Sequence, residues 1–155
     1  MKKLLLIFTL LFSTLIFSSP SYGKWTKVDK VDGTDIYVDF NNIRKHGGYI
    51  YWWVLSDWRK PIETGVVSSE TYNQGDCKLF RFKYLSAYFH KEPMGRSIGD
   101  AQEPPPEFQS WIYPPPKTQY ARVLEMVCSW IYPPPNTSEP IIRKNSKRSL
   151  QPLNW

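Results

Sequence analysis

The sequence predicts an α+β domain in which a C-terminal helix is stapled to a β-sheet by a disulfide. Three observations lead there. Cys77 and Cys128 are the only two cysteines of the 155-residue chain. An N-terminal export pattern places them in an oxidising compartment, where an even cysteine count is expected to pair. Alternating, aromatic-rich runs occupy most of the chain before Pro93, and one run with helical period ends at Cys128.

The export pattern covers residues 1–23. Lys2 and Lys3 supply a positive start, Leu4 to Phe17 an apolar stretch, and Ser21-Tyr22-Gly23 small residues at the −3 and −1 positions before a cleavage at Lys24. The apolar stretch is shorter than the ~18 residues a membrane span needs. No later segment of the sequence is long enough for one. No cysteine lies near the cleavage site, so the expected mature chain carries no lipid anchor and is periplasmic, surface-exposed or secreted. Residues 24–128 have the size of one domain, and residues 129–155 read as a Pro-rich, basic, flexible tail.

Charge narrows the partners. The formal net charge of +6 falls to +4 once Lys2 and Lys3 leave with the signal. Most of what remains comes from Arg143, Lys144, Lys147 and Arg148 in the tail. The body is close to neutral, which does not support a nucleic-acid-binding surface.

The elements follow in order. Trp25 to Lys30 is an expected strand, and Asp32-Gly33 an expected hairpin turn, because Asp-Gly takes the positive φ such turns require. Asp35 to Phe40 alternates, with Ile36, Val38 and Phe40 on one face. Asn41 to Lys45 reads as a helical turn, and Gly47-Gly48 leads into Tyr49 to Leu55. That run is apolar on both faces and suits a central strand. Val66 to Tyr72 is a further strand, ended by Asn73-Gln74-Gly75. Lys78 to Leu85 alternates again, with Phe80, Phe82 and Tyr84 sharing a face, and extends through Tyr88 and Phe89. Pro93-Met94-Gly95 is a turn. Ser97 to Gln109 is a Pro-rich excursion, poor in apolar residues and expected to pack loosely. Pro114 to Pro116 favour an extended polyproline segment, after which Thr118 can cap a helix. Within that helix Tyr120, Val123, Leu124, Val127 and Cys128 fall on one apolar stripe.

A repeat stands out. Ser110 to Thr118 recurs as Ser129 to Thr137, differing only at Lys117 and Asn136. Two copies are too few for a solenoid. The simple reading is a local duplication. The sharper one is that Trp130 to Tyr132 can take the strand position of Trp111 to Tyr113, within one chain or across a dimer.

Little in the sequence points to catalysis. His46 and His90 are expected at the surface, and Asp35, Asp39, Asp57 and Asp76 on solvated faces. No spacing matches a zinc site, and no nucleophile elbow, phosphate loop or dinucleotide fingerprint is present. No cofactor is expected, and pairing Cys77 with Cys128 removes both thiols as ligands and nucleophiles. Trp25, Trp53 and Trp58 are expected in the core or a dimer interface. The alternative is an exposed aromatic cluster that takes a sugar, a peptide or a partner protein.

The order of Trp25, Tyr37-Val38-Asp39, Ile43, Trp52-Trp53, Leu55-Ser56-Asp57-Trp58, Asp76-Cys77, Arg81, Tyr88, Met94-Gly95, Trp111 and Val127-Cys128 resembles the bacterial surface-adhesin protein E family. The resemblance covers Lys24 to Cys128. It implies an antiparallel β-sheet of about six strands with a C-terminal helix disulfide-tethered to the sheet, and dimers are known in the family. It further implies a non-catalytic adhesin that binds host matrix or plasma proteins, with no binding residue that can be carried over by number. The expected function is therefore an exported domain that binds a protein partner, with a possible homodimer. The alternatives are a periplasmic envelope accessory protein and, third, a small periplasmic enzyme.

Overall fold

The computed structural model describes residues 24–134. The expected signal segment and most of the expected tail lie outside them. Seven strands form one antiparallel sheet: β1 (Thr26–Val31), β2 (Thr34–Val38), β3 (Arg44–His46), β4 (Tyr49–Trp58), β5 (Ser68–Asp76), β6 (Arg81–His90) and β7 (Asp100–Gln102). Their order is β1-β2-β4-β5-β6-β7, with β3 paired to the start of β4. Two helices follow, the short α1 (Pro106–Gln109) and the long α2 (Gln119–Ile131).

Turn chemistry sets the first hairpin. Asp32 and Gly33 both take positive φ, 49° and 84°, which matches the twist of the flanking strands. The expected helical turn at Asn41 to Lys45 divides in two. Phe40–Asn42 is a single 3-10 turn, and Arg44 to His46 is strand, turned back onto β4 at Gly47-Gly48. The 3-10 turn forms because Asp39, only 3% exposed, caps it by accepting from the Asn41 amide at 3.1 Å.

One face of the sheet builds the core. Ile36, Val38, Ile50 and Trp52 point to it, joined by Phe40, Ile43 and Phe82, and the buried Val123, Leu124 and Val127 of α2 close over them. Thr118 starts that helix as expected, its hydroxyl accepting from the Ala121 amide at 3.2 Å. Arg122 on its outer side ties to Asp29 of β1, Nε to Oδ2 at 2.8 Å. The disulfide then anchors the far end of α2: Cys77, in the β5–β6 turn, is bonded to Cys128, with the Cα atoms 5.7 Å apart. None of the helices in the described residues is long and apolar enough to cross a membrane.

Several expectations give way to packing. β5 does not end at Asn73-Gln74-Gly75 but runs through to Asp76. Asn73 is buried and donates to the Thr71 carbonyl at 3.0 Å, and Gly75 gives the Trp52 indole its room. Residues 77–80 form the turn, so β6 begins only at Arg81, and Phe80, at φ 48°, is exposed. Tyr72 pairs with Ser86 but Asn73 with Tyr84, so Leu85 is a bulge that shifts the alternation of β6. The Pro-rich excursion packs: β7 pairs with β6, Pro104 is buried, and the Phe108 ring meets Tyr84 edge-on at 5.7 Å.

The repeat adopts two conformations. In the first copy Ile112 pairs with Phe82 in a bridge, extending the sheet beside β6. In the second, Ser129 to Ile131 are the last turn of α2, and Trp130 packs on Phe40 with ring centroids 5.0 Å apart.

Candidate functional site

Both α-helices among the described residues lie on the core side, which leaves much of the other face of the sheet to its own side chains. Strand alternation puts Tyr49, Tyr51, Trp53 and Leu55 of β4 on that face, because Ile50, Trp52 and Val54 point to the core or the cleft beside it. The register brings Tyr72 of β5 beside Trp53, and the Leu85 bulge turns Tyr88 of β6 to the same side. An alternation without the bulge would have put Tyr88 with Tyr84 on the opposite face.

These rings form a ladder. Tyr51 and Tyr72 stack at 6.1 Å, Trp53 and Tyr72 at 4.8 Å, and Trp53 meets Tyr88 at 5.9 Å. At the β6 end Trp111, carried by the strand-like first repeat, lies 5.5 Å from Tyr49. Arg81 sits 4.4 Å over the Trp111 ring, and the Lys83 ammonium 5.3 Å from it. All of these aromatics are half-buried: they cover one another and still present ring edges and faces to solvent.

Electrostatics fix Arg81. Its Nε donates to Asp76 Oδ2 at 3.2 Å and its Nη1 to the Tyr113 hydroxyl at 3.3 Å. Burial works against the guanidinium charge, but these two partners outweigh it and hold its pKa above the ordinary value. Burial likewise opposes the Asp76 carboxylate. The Leu79 amide, Arg81 and the Lys78 amide together keep it ionised below the ordinary carboxylate range. The cation is thus held flat against an aromatic surface, as guanidinium groups favour.

The loop 91–99 folds over the other end of this face. Ser68 Oγ donates to the Glu92 carbonyl at 2.6 Å and accepts from the Gly95 amide at 3.1 Å, while the Met94 amide donates to Asp57 Oδ1 at 2.9 Å. His90 is not the surface group its strand-end context suggested. It is 5% exposed, with Nδ1 donating to the Ser97 carbonyl at 2.8 Å. Glu70, on the same face, has its carboxyl pushed up by burial, only partly offset by the nearby His90.

The aspartates also depart from the solvated faces expected of them. Asp39 and Asp76 are buried caps, Asp57 holds the 91–99 loop, and Asp35 is paired with Lys27 at 2.7 Å. Each is committed to a structural partner, although Asp35 and Asp57 stand directly opposite one another across β2 and β4. His46 lies on the exposed β3. Among the described residues no group of three His, Cys, Asp or Glu side chains has the geometry to hold a metal ion. Trp53, expected in the core or a dimer interface, lies outside the core cluster and carries the aromatic ladder on the other face.

Comparison with known proteins agrees with this architecture. The family model for surface-adhesin protein E matches residues 25–129. Two crystal structures of Haemophilus influenzae protein E superpose on the chain, each with a TM-score of 0.51 at 14% identity. Each covers 67% of this chain, and 96% and 95% of those chains are matched. No curated protein matches. The chain belongs to the surface-adhesin protein E family.

Proposed function

We propose that this member of the surface-adhesin protein E family is an exported, non-catalytic binding domain that docks a protein partner on its open aromatic face. One observation carries the reading: a ladder of Tyr51, Tyr72, Trp53 and Tyr88 and a second ring pair, Tyr49 and Trp111, edged by Arg81 and Lys83, on the side that no α-helix among the described residues covers. Trp, Tyr and Arg are the residues that dominate binding energy at protein interfaces, because each removes a large rigid surface from water while keeping a polar contact. The positive edge favours a partner whose contact patch is acidic. Family membership supports an adhesin-like role, and the leader-like residues 1–23 support export.

The disulfide suits this role. It holds α2 against the core side of the sheet, away from the aromatic face. On this reading residues 24–128, with the last helical turn to Ile131, form the binding domain, and the remaining C-terminal segment is an appendage.

Affinity capture with the exported, oxidised chain tests the proposal. A specific protein should be retained by the native chain and lost by Trp53→Ala and by Arg81→Ala, with the melting temperature of each variant used to confirm folding. Equal capture by native and variant chains would refute the aromatic face as the interface. Light scattering that shows a homodimer broken by Trp53→Ala would replace the foreign partner by a second copy. Labelling of intact cells separates a surface adhesin, which is modified, from a periplasmic accessory protein, which is protected.

A further inference from the structure

The core side of the sheet is only partly covered by α2. Beyond it, over the β5–β7 end, the Pro-rich segment arches back and leaves a cleft of about 440 Å³ between itself, the sheet and the first turns of the helix. Pro104, Pro105 and Phe108 form its roof, Tyr84 and Tyr120 line it, and Ser56, Ser69, Thr71 and Ala87 belong to its floor. Volumes of this size are those of small-molecule sites, and such sites combine apolar walls with a few uncharged polar groups.

Two features point to the ligand. Ser56 and Ser69 are directly opposed across β4 and β5, and neither hydroxyl hydrogen-bonds to another described residue. Ser69 is only 6% exposed and lines the cleft, so its hydroxyl is free to bond a molecule held there. The second feature is charge. Among the described residues no Lys, Arg or His lines the cleft, and its one acidic side chain is Glu103. An anionic ligand would have no counter-ion there and would face a like charge.

We propose that this cleft binds a neutral, largely apolar small molecule that carries a hydrogen-bond acceptor toward Ser56 and Ser69. The apolar body packs between Phe108, Tyr120 and the proline roof, and the acceptor takes the serine hydroxyl protons. Burial keeps the Tyr84 phenol in its neutral form, with Tyr120 beside it adding to the effect, so the aromatic wall stays uncharged. The site lies on the opposite side of the sheet from the aromatic ladder, and its occupancy is independent of the docking proposed there.

Nile red tests this directly, being neutral, aromatic, fluorescent in apolar surroundings and equipped with a carbonyl acceptor. Titrated into the exported, oxidised chain, it should bind saturably at one site per chain. Ala87→Phe, which fills the floor, should weaken binding at least tenfold, Phe108→Ala by several-fold, and Ser69→Ala by a few-fold. Phe108 is 44% exposed, so its truncation leaves the fold intact. His46→Ala, on the exposed β3, which does not line the cleft, should leave the dissociation constant unchanged. Methyl palmitate should displace the dye, and palmitate, with its carboxylate, should displace it at least tenfold less well. Non-saturating dye uptake, an unchanged dissociation constant in both Ala87→Phe and Phe108→Ala, or loss of binding in His46→Ala would overturn the assignment.

Discussion

A Cβ placed on Gly75 would come within 2.7 Å of Cζ3 of Trp52, the large indole that fills the centre of the core. The glycine is there for space, since its φ is not one that a side chain would resist. Gly75→Ala is therefore expected to destabilise the domain by about 1–3 kcal/mol, the usual effect of overpacking a close-fitted interior. Urea unfolding measures it, and an unchanged midpoint would mean that the indole has room to tilt away.

Breaking the Cys77–Cys128 bond removes a cross-link across 51 residues of chain. In the chain-entropy account a loop of this length contributes roughly 4 kcal/mol. Cys77→Ser or Cys128→Ser should lower the melting temperature markedly, and added reductant should bring the native chain to the same value. Identical melting of native, reduced and substituted chains would contradict the tether.

Asp76 links stability to acid. Its folded pKa is lowered, by the Leu79 and Lys78 amides and Arg81 acting against burial. The stabilisation is thus present above the ordinary carboxylate pKa and disappears as pH falls through the lowered one. Asp76→Asn should be less stable than the native chain at neutral pH and should lose less stability between about pH 5 and pH 2. Parallel pH profiles for the two proteins would show that the interaction carries no net linkage.

Glu70 behaves in the opposite sense. Burial raises its folded pKa, so the folded state prefers the protonated acid. Any stability from that preference is complete below the ordinary glutamate pKa and is lost as pH climbs through the raised value. Glu70→Gln, which mimics the neutral form, should therefore melt higher than the native chain at neutral pH and no higher at about pH 4, near the ordinary value. Thermal melts at the two pH values decide it, and a variant that is less stable at neutral pH would rule the mechanism out.

Much of the scaffold was legible because local chemistry and tertiary demand coincided. Asp32-Gly33 needs positive φ and gets it; Thr118 caps the helix it precedes; Cys128, on the stripe that helical period predicts, meets Cys77. The misreadings have a common origin in long-range contacts. Asn73-Gln74-Gly75 has the letters of a turn, yet Trp52 from the neighbouring strand requires them as strand. Arg44 to His46 pairs with β4 only because Gly47 and Gly48, at φ 58° and 81°, reverse the chain. The aromatic face was half visible: the β4 rings follow from alternation, but Tyr88 joins them only through the Leu85 bulge, which no periodicity announces. Trp111 joins through a bridge made by one isolated residue pair. The cleft was hidden more completely, because its roof comes from a segment whose composition argues against packing.

The twin segments around Trp111 and Trp130 teach something practical about identity and shape. The same letters stand as a flat ribbon at the sheet margin in one place and as a coiled turn at the end of a rod in the other. An antibody raised against the free peptide, or a short tag cut from it, would meet two unlike epitopes on one molecule. Its binding would report which neighbour each stretch has found more than which residues it contains.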